Sequence, residues 1–319
     1  MRIALLLLAF LVACPSPDDI TDPDPVVPLE PPPEGQGFQL SMTGTAPANA
    51  ESWLCSVYPM PTSQIANVNW VEFQQNPGMH HMTLSTLGIG VQGDIPYGEY
   101  PCEEIYGDAS LMENQVMFFG SQGGEGVQTM NLPVGVVAQM PPTMDVIHEV
   151  HLVNTTEEDI AVYSRVNAYT ISDAEVVEGI WGGQVRDETI TVPAQSEATE
   201  WTRCVMNVDV DVLFLASHTH RRGIDFTIRR FDGTASGDVF YSNDDWHDPK
   251  ITQYDPPLVI PAGEGFEYAC TWRNSDDFDV TYGLTAEDEM CNLAIVHTPF
   301  DQSARCEVVE TSDGVLWAP

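Results

Sequence analysis

The chain has 319 residues, 43% of them hydrophobic and 9% aromatic, enough for two ordinary cores rather than one small one. Its charge is lopsided: 48 Asp and Glu against 11 Lys and Arg give −37, and Lys250 is the single lysine. Such a surface repels phosphate backbones and excludes nucleic acid as a partner. It serves solvation first, with attraction of a cationic substrate as the sharper alternative.

At the N-terminus, Arg2 precedes an apolar run from Ile3 to Val12 that is too short to span a bilayer. The run ends in Leu11-Val12-Ala13-Cys14, which resembles a bacterial lipoprotein cleavage box. Residues 1–13 are then a signal peptide and Cys14 the lipidated first residue of the mature chain. An ordinary secretory signal is the alternative. Both predict export, to the periplasm or cell surface, with membrane attachment by lipid alone. Residues 14–37, rich in Pro and Asp, read as a disordered tether.

From residue 38 onward helical periodicity is nearly absent. Runs rich in Val, Ile, Thr, Phe and Tyr recur between turn residues: 150–154, 161–169, 189–192, 208–217, 226–231 and 266–272. This pattern predicts an all-β protein, two antiparallel sandwich domains in tandem with a cleft between them. A boundary near 164/165 gives domains 38–164 and 165–319. Apart from Cys14 there are six cysteines, Cys55, Cys102, Cys204, Cys270, Cys291 and Cys306. With no C-x-x-C spacing among them they read as three structural bridges in any of fifteen pairings.

Histidines carry the chemical signal. His218 and His220 in Ser-His-Thr-His-Arg end a strongly apolar run, and residues i and i+2 of a strand share a face. Both imidazoles can therefore address one ion. Met290, in Glu-Asp-Glu-Met-Cys-Asn, offers a thioether; a soft ligand beside imidazoles selects copper over zinc, calcium or magnesium. Upstream, His80 and His81 are adjacent and need a bend to share an ion, which Pro77-Gly78 could supply. His148 and His151, three apart, face opposite ways on a strand, so at most one joins them. His247 and His297 lack any partner pattern and read as structural or surface residues.

His80-His81-Met82, Glu149-Val150-His151, His218-Thr219-His220 and Asp288-Glu289-Met290-Cys291-Asn292 occur in the order and spacing of a known family. The chain resembles, from about Phe38 to Val309, the copper type II, ascorbate-dependent monooxygenases, which include dopamine β-hydroxylase and peptidylglycine α-hydroxylating monooxygenase. The resemblance implies two copper ions at separate sites. His80, His81 and His151 would hold the electron-supplying ion. His218, His220 and Met290 would hold the ion where O2 reacts, and would be the catalytic set. It also implies the pairings Cys55–Cys102, Cys204–Cys306 and Cys270–Cys291.

The implied activity is hydroxylation of a C–H bond in a small substrate with O2 and a one-electron donor such as ascorbate. A noncatalytic copper-binding or copper-handling surface lipoprotein is the alternative. A zinc hydrolase is disfavoured, because no general-base carboxylate lies in a recognised metal motif. Two substrate-clamp positions of the peptide-amidating branch depart here: Ala216 stands for an arginine and Ala294 for a tyrosine, while Asn292 is kept. Peptide amidation is therefore not expected. Arg221-Arg222 could meet an anion, but ion pairing with surface carboxylates is the expectation.

Overall fold

The computed structural model describes residues 28–76, 79–87, 95–106, 116–122, 126–246, 249–283, 285 and 287–315. The expected signal segment, Cys14, the Pro77-Gly78 bend and His247 lie outside these. The chain is nearly all β, in several largely antiparallel sheets.

The first half runs β1 (Gly37–Ala46), β2 (Ala50–Pro59), β3 (Ala66–Gln75), β4 (Met79–Thr86), β5 (Gly98–Pro101), helix α1 (Cys102–Tyr106), β6 (Val116–Gln122), β7 (Val127–Asn131), β8 (Val136–Met140), β9 (Asp145–Asn154) and β10 (Ile160–Thr170). The second half continues with β11 (Glu178–Gly179), β12 (Trp181–Arg186), β13 (Thr191–Val192), β14 (Ser196–Met206), β15 (Val210–His218), β16 (Gly223–Phe231), β17 (Ser236–Asn243) and β18 (Thr252–Ile260). It ends with β19 (Gly265–Asn274), β20 (Val280–Thr281), β21 (Asn292–Thr298), β22 (Cys306–Thr311) and β23 (Gly314–Val315).

Two sheets are built from the first half, in the orders β1-β10-β3-β8-β11, with β7 also on β3 and β11 joining from the second half, and β5-β2-β9-β4-β6. One hydrophobic cluster, running from Leu40 to Ala168, draws on both. The larger sheets of the second half are β12-β21-β15-β18 and β17-β16-β19-β14-β22-β23, and a cluster from Val185 to Ile295 lies between them. Alternation explains this. In β16, for example, Phe226, Ile228 and Phe231 are buried while Asp225 and Arg230 are exposed, so one face of each strand leaves water.

Two boundaries differ from expectation. The division at 164/165 falls inside β10, which pairs with β1 along its length and with β3 through Thr170. The apolar alternation of 160–170 contains no turn; the break comes at Ser172–Glu175, a short 3-10 turn. The tether also ends early, because side chains of the sheet capture its backbone. Leu29 N–H donates to Gln74 (2.9 Å), and Glu30 C=O accepts from Asn167 (2.7 Å).

Among the described residues no helix is long and apolar enough to cross a membrane. All three disulfides have the pairings implied by the resemblance, Cys55–Cys102, Cys204–Cys306 and Cys270–Cys291.

Candidate metal centre

In the first half the site grows from the pairing of β4 with β9. Met79 faces Leu152 and His81 faces His151, so His80 is one residue too many and forms a β-bulge. That bulge is the local break the adjacent histidines require; the His80 side chain lies outside the described residues. The rings of His81 and His151 are 5.0 Å apart. His148 turns to the opposite face, as its spacing predicts. There it bridges Tyr58 and Ser164 at 2.8 Å each, and burial pushes its pKa down to about 3. It is a satisfied core histidine.

In the second half β15 pairs with β21 and sets His218 opposite Asn292. The backbone N–H groups of His220 (2.9 Å) and Met290 (3.4 Å) both donate to Glu289 Oε2. Glu289 Oε1 takes the Arg222 N–H at 2.8 Å. One buried carboxylate thus staples the His-x-His segment to the methionine segment, and the Cys270–Cys291 bridge anchors the neighbouring residue. Burial raises the Glu289 pKa to about 7, against the pull of these backbone donors. Asn292 Nδ2 donates to the Met290 sulfur at 3.2 Å.

The two halves meet at these faces. His218 lies 5.2 Å from His220 and 5.8 Å from His81, ring to ring. Four imidazoles from three chain segments, β4, β9 and the end of β15, therefore form one continuous group. Burial, then the neighbouring His220, His81, His151 and Arg186, hold the His218 pKa well below its ordinary value. Burial is also the main cause that brings His220 down to about 4. Both rings are neutral at pH 7, the form that ligates metal.

Residues 176–317 match the family model described as copper type II ascorbate-dependent monooxygenase, C-terminal domain. Among solved structures, the chain is similar to "Structure of infectious bursal disease virus Gx strain" at 11% identity, over 88% of this chain and 78% of that one, with a TM-score of 0.17. The corresponding Gt strain structure gives 10% identity over 86% and 75%, with a TM-score of 0.12. Likenesses that weak carry no argument.

The donor chemistry of this region, imidazoles with a neighbouring thioether, fits copper. His220 Nδ1 is 3.1 Å from the Asp288 carbonyl. In the first half, His81 Nε2 meets Glu149 at 2.9 Å and His151 Nε2 meets Glu51 at 2.6 Å. Carboxylate and carbonyl partners of this kind fix ring orientation in metal sites. Among the described residues no three His, Cys, Asp or Glu side chains converge as a metal cage; Met290 is not of those types.

Sequence reasoning missed two carboxylates. Glu149 accepts from Trp53 (2.7 Å), Thr83 (2.8 Å), Tyr106 (3.0 Å) and His81. Burial opposes its ionisation, yet His81 and these donors hold its pKa down at about 2. Its signal was the i, i+2 spacing to His151. Glu289 had no comparable signal, since its role depends on which loop folds over it. The Arg221-Arg222 pair follows the expectation: both guanidinium groups pair with Asp276 and Glu287. His297 is buried, a structural residue.

Proposed function

We propose that this protein is an exported copper monooxygenase that hydroxylates a C–H bond of a small substrate. His80, His81 and His151 would hold one copper, and His218, His220 and Met290 the other. The observation that carries the reading is the junction of His81, His151, His218 and His220 in one group, within a chain whose second half matches the monooxygenase C-terminal domain. Copper, when bound, supplies one-electron steps between Cu(I) and Cu(II) and a centre at which O2 is reduced with ascorbate as donor.

The chain's own residues prepare that chemistry. Neutral imidazoles offer lone pairs without first losing a proton, and the thioether favours the reduced ion. Glu149 and Glu51 orient the upstream rings, while Glu289 and the Cys270–Cys291 bridge fix the methionine. Export is supported by the N-terminal apolar run and by three disulfides, which persist in oxidising compartments. Lipid attachment at Cys14 belongs to the same proposal.

An oxygen electrode tests it. Protein loaded with two copper equivalents and supplied with ascorbate should consume O2 faster when a phenethylamine, an acylated glycine or another small C–H donor is added. Copper bound without substrate-dependent consumption would leave the copper-handling reading instead.

A further inference from the structure

Strand β3 changes partner partway along its length. Trp70 lies opposite Asn131 on β7, and Val68 opposite Ala138 on β8. Residues 132–135, between those two strands, belong to neither. Asn69 shapes the gap: its Nδ2 donates to the carbonyls of Pro133 (3.1 Å) and Val136 (2.7 Å), and its own carbonyl accepts from the Leu132 N–H (2.8 Å). β6, the last strand of the other sheet, supplies Phe118 and Phe119. A cavity of about 60 Å³ lies between these elements. Its floor includes Leu40, Leu84, Met140 and Val166, core residues from both sheets. Its rim is half-buried, with Met130, Leu132 and Ile180 beside the two phenylalanines.

Among the described residues that line this cavity none is charged, and the one amide, Asn69, already donates twice. Water needs two or more polar partners and finds too few on such walls, so the space favours hydrocarbon. It admits on the order of five water-sized groups, a short run of methylenes. Apolar surface continues outward from the rim. Val134, two residues past Leu132, is 98% exposed, and Val177, three before Ile180, is 80% exposed. The Val177 N–H donates to the Gly135 carbonyl at 2.8 Å, which holds the two segments together. Single exposed valines are ordinary; continuity with an apolar cavity sets these two apart. The histidines lie elsewhere. Leu84 and His81 are three apart on β4 and so face opposite sides of their sheet.

We infer that this cavity binds the unbranched alkyl tail of a neutral single-chain amphiphile. The tail lies between the two sheets, against Leu40 and Leu84. The head stays outside, beside Val134 and Val177. Exposed Glu175 and Glu178 flank Val177 in the chain, so a neutral head is favoured over a carboxylate. Each methylene that leaves water strengthens binding about fourfold until the cavity is filled. The site is independent of copper and of the oxygenase reading.

The test is calorimetric titration of the full chain carrying Cys14→Ser, which removes the proposed lipid attachment. The ligands are 1-butanol, 1-hexanol, 1-octanol and octanoate. The alcohols should bind at a single site, with affinity rising about fourfold per added methylene. Octanoate should bind more weakly than 1-octanol. Ala138→Phe places a ring in the cavity and should lower 1-octanol affinity at least about tenfold. Val177→Asp alters an exposed rim position, so it reads the site even if the ring disturbs the core; it should weaken 1-octanol by about threefold or more. The inference is overturned by absence of saturable alcohol binding, by affinity that ignores chain length, by octanoate binding as tightly as 1-octanol, or by 1-octanol binding that survives both substitutions.

Discussion

At the residue scale the centre depends on carboxylates that never need to touch a metal. Glu289 bonds the backbone N–H groups of His220, Arg222 and Met290, so it sets where two of the proposed ligands stand. Glu289→Gln, read by competition with a copper chelator, should weaken one equivalent by about 10- to 100-fold and spare the other. Glu149→Gln should weaken the opposite equivalent. His148 makes a separate prediction. Its folded pKa of about 3 lies below the ordinary 6.5, so the unfolded chain binds the extra proton between these values. This contribution to stability is intact above pH 6.5 and is lost as pH falls toward 3, by up to about 1.4 kcal/mol per pH unit. Urea unfolding of His148→Gln should therefore show a flatter acid limb than the wild type. Parity in β9 made the roles of His148 and His151 legible in advance.

At the element scale, alternation in 161–169, 208–217, 226–231 and 266–272 foretold strands that are present as β10, β15, β16 and β19. The bulge at His80 could not be read the same way, since a bulge is a property of two paired strands and one sequence shows a single strand. The 164/165 boundary missed for a related reason: strand pairing carried β10 past the point where composition suggested a break. The disulfides act at this scale as well. Cys270–Cys291 closes a separation of 21 residues and Cys204–Cys306 one of 102. Loop-closure entropy predicts losses of about 3 and about 4.7 kcal/mol on removal of each pair by alanine. Only the first should also lower copper occupancy, because it borders Met290. Urea titration with copper counting checks both, and equal copper retention by the two variants would contradict the assigned role of the Cys270–Cys291 bridge.

At the scale of the whole molecule, two hydrophobic clusters lie one within residues 40–168 and one within 185–295, and His81 of the first half approaches His218 of the second. The pairs His81 with His151 and His218 with His220 could be singled out from sequence, because each is local to one or two strands. Their approach to 5.8 Å could not, since it depends on how the halves dock and leaves no periodic trace. The acidic surface bears on solubility and on the approach of charged molecules rather than on this docking. X-ray absorption of the fully reduced, copper-loaded protein is the most direct test of the central claim. Two copper equivalents should bind, with a sulfur scatterer that disappears in Met290→Ala along with tight binding of one equivalent. A spectrum without sulfur, or one unchanged by Met290→Ala, would contradict it.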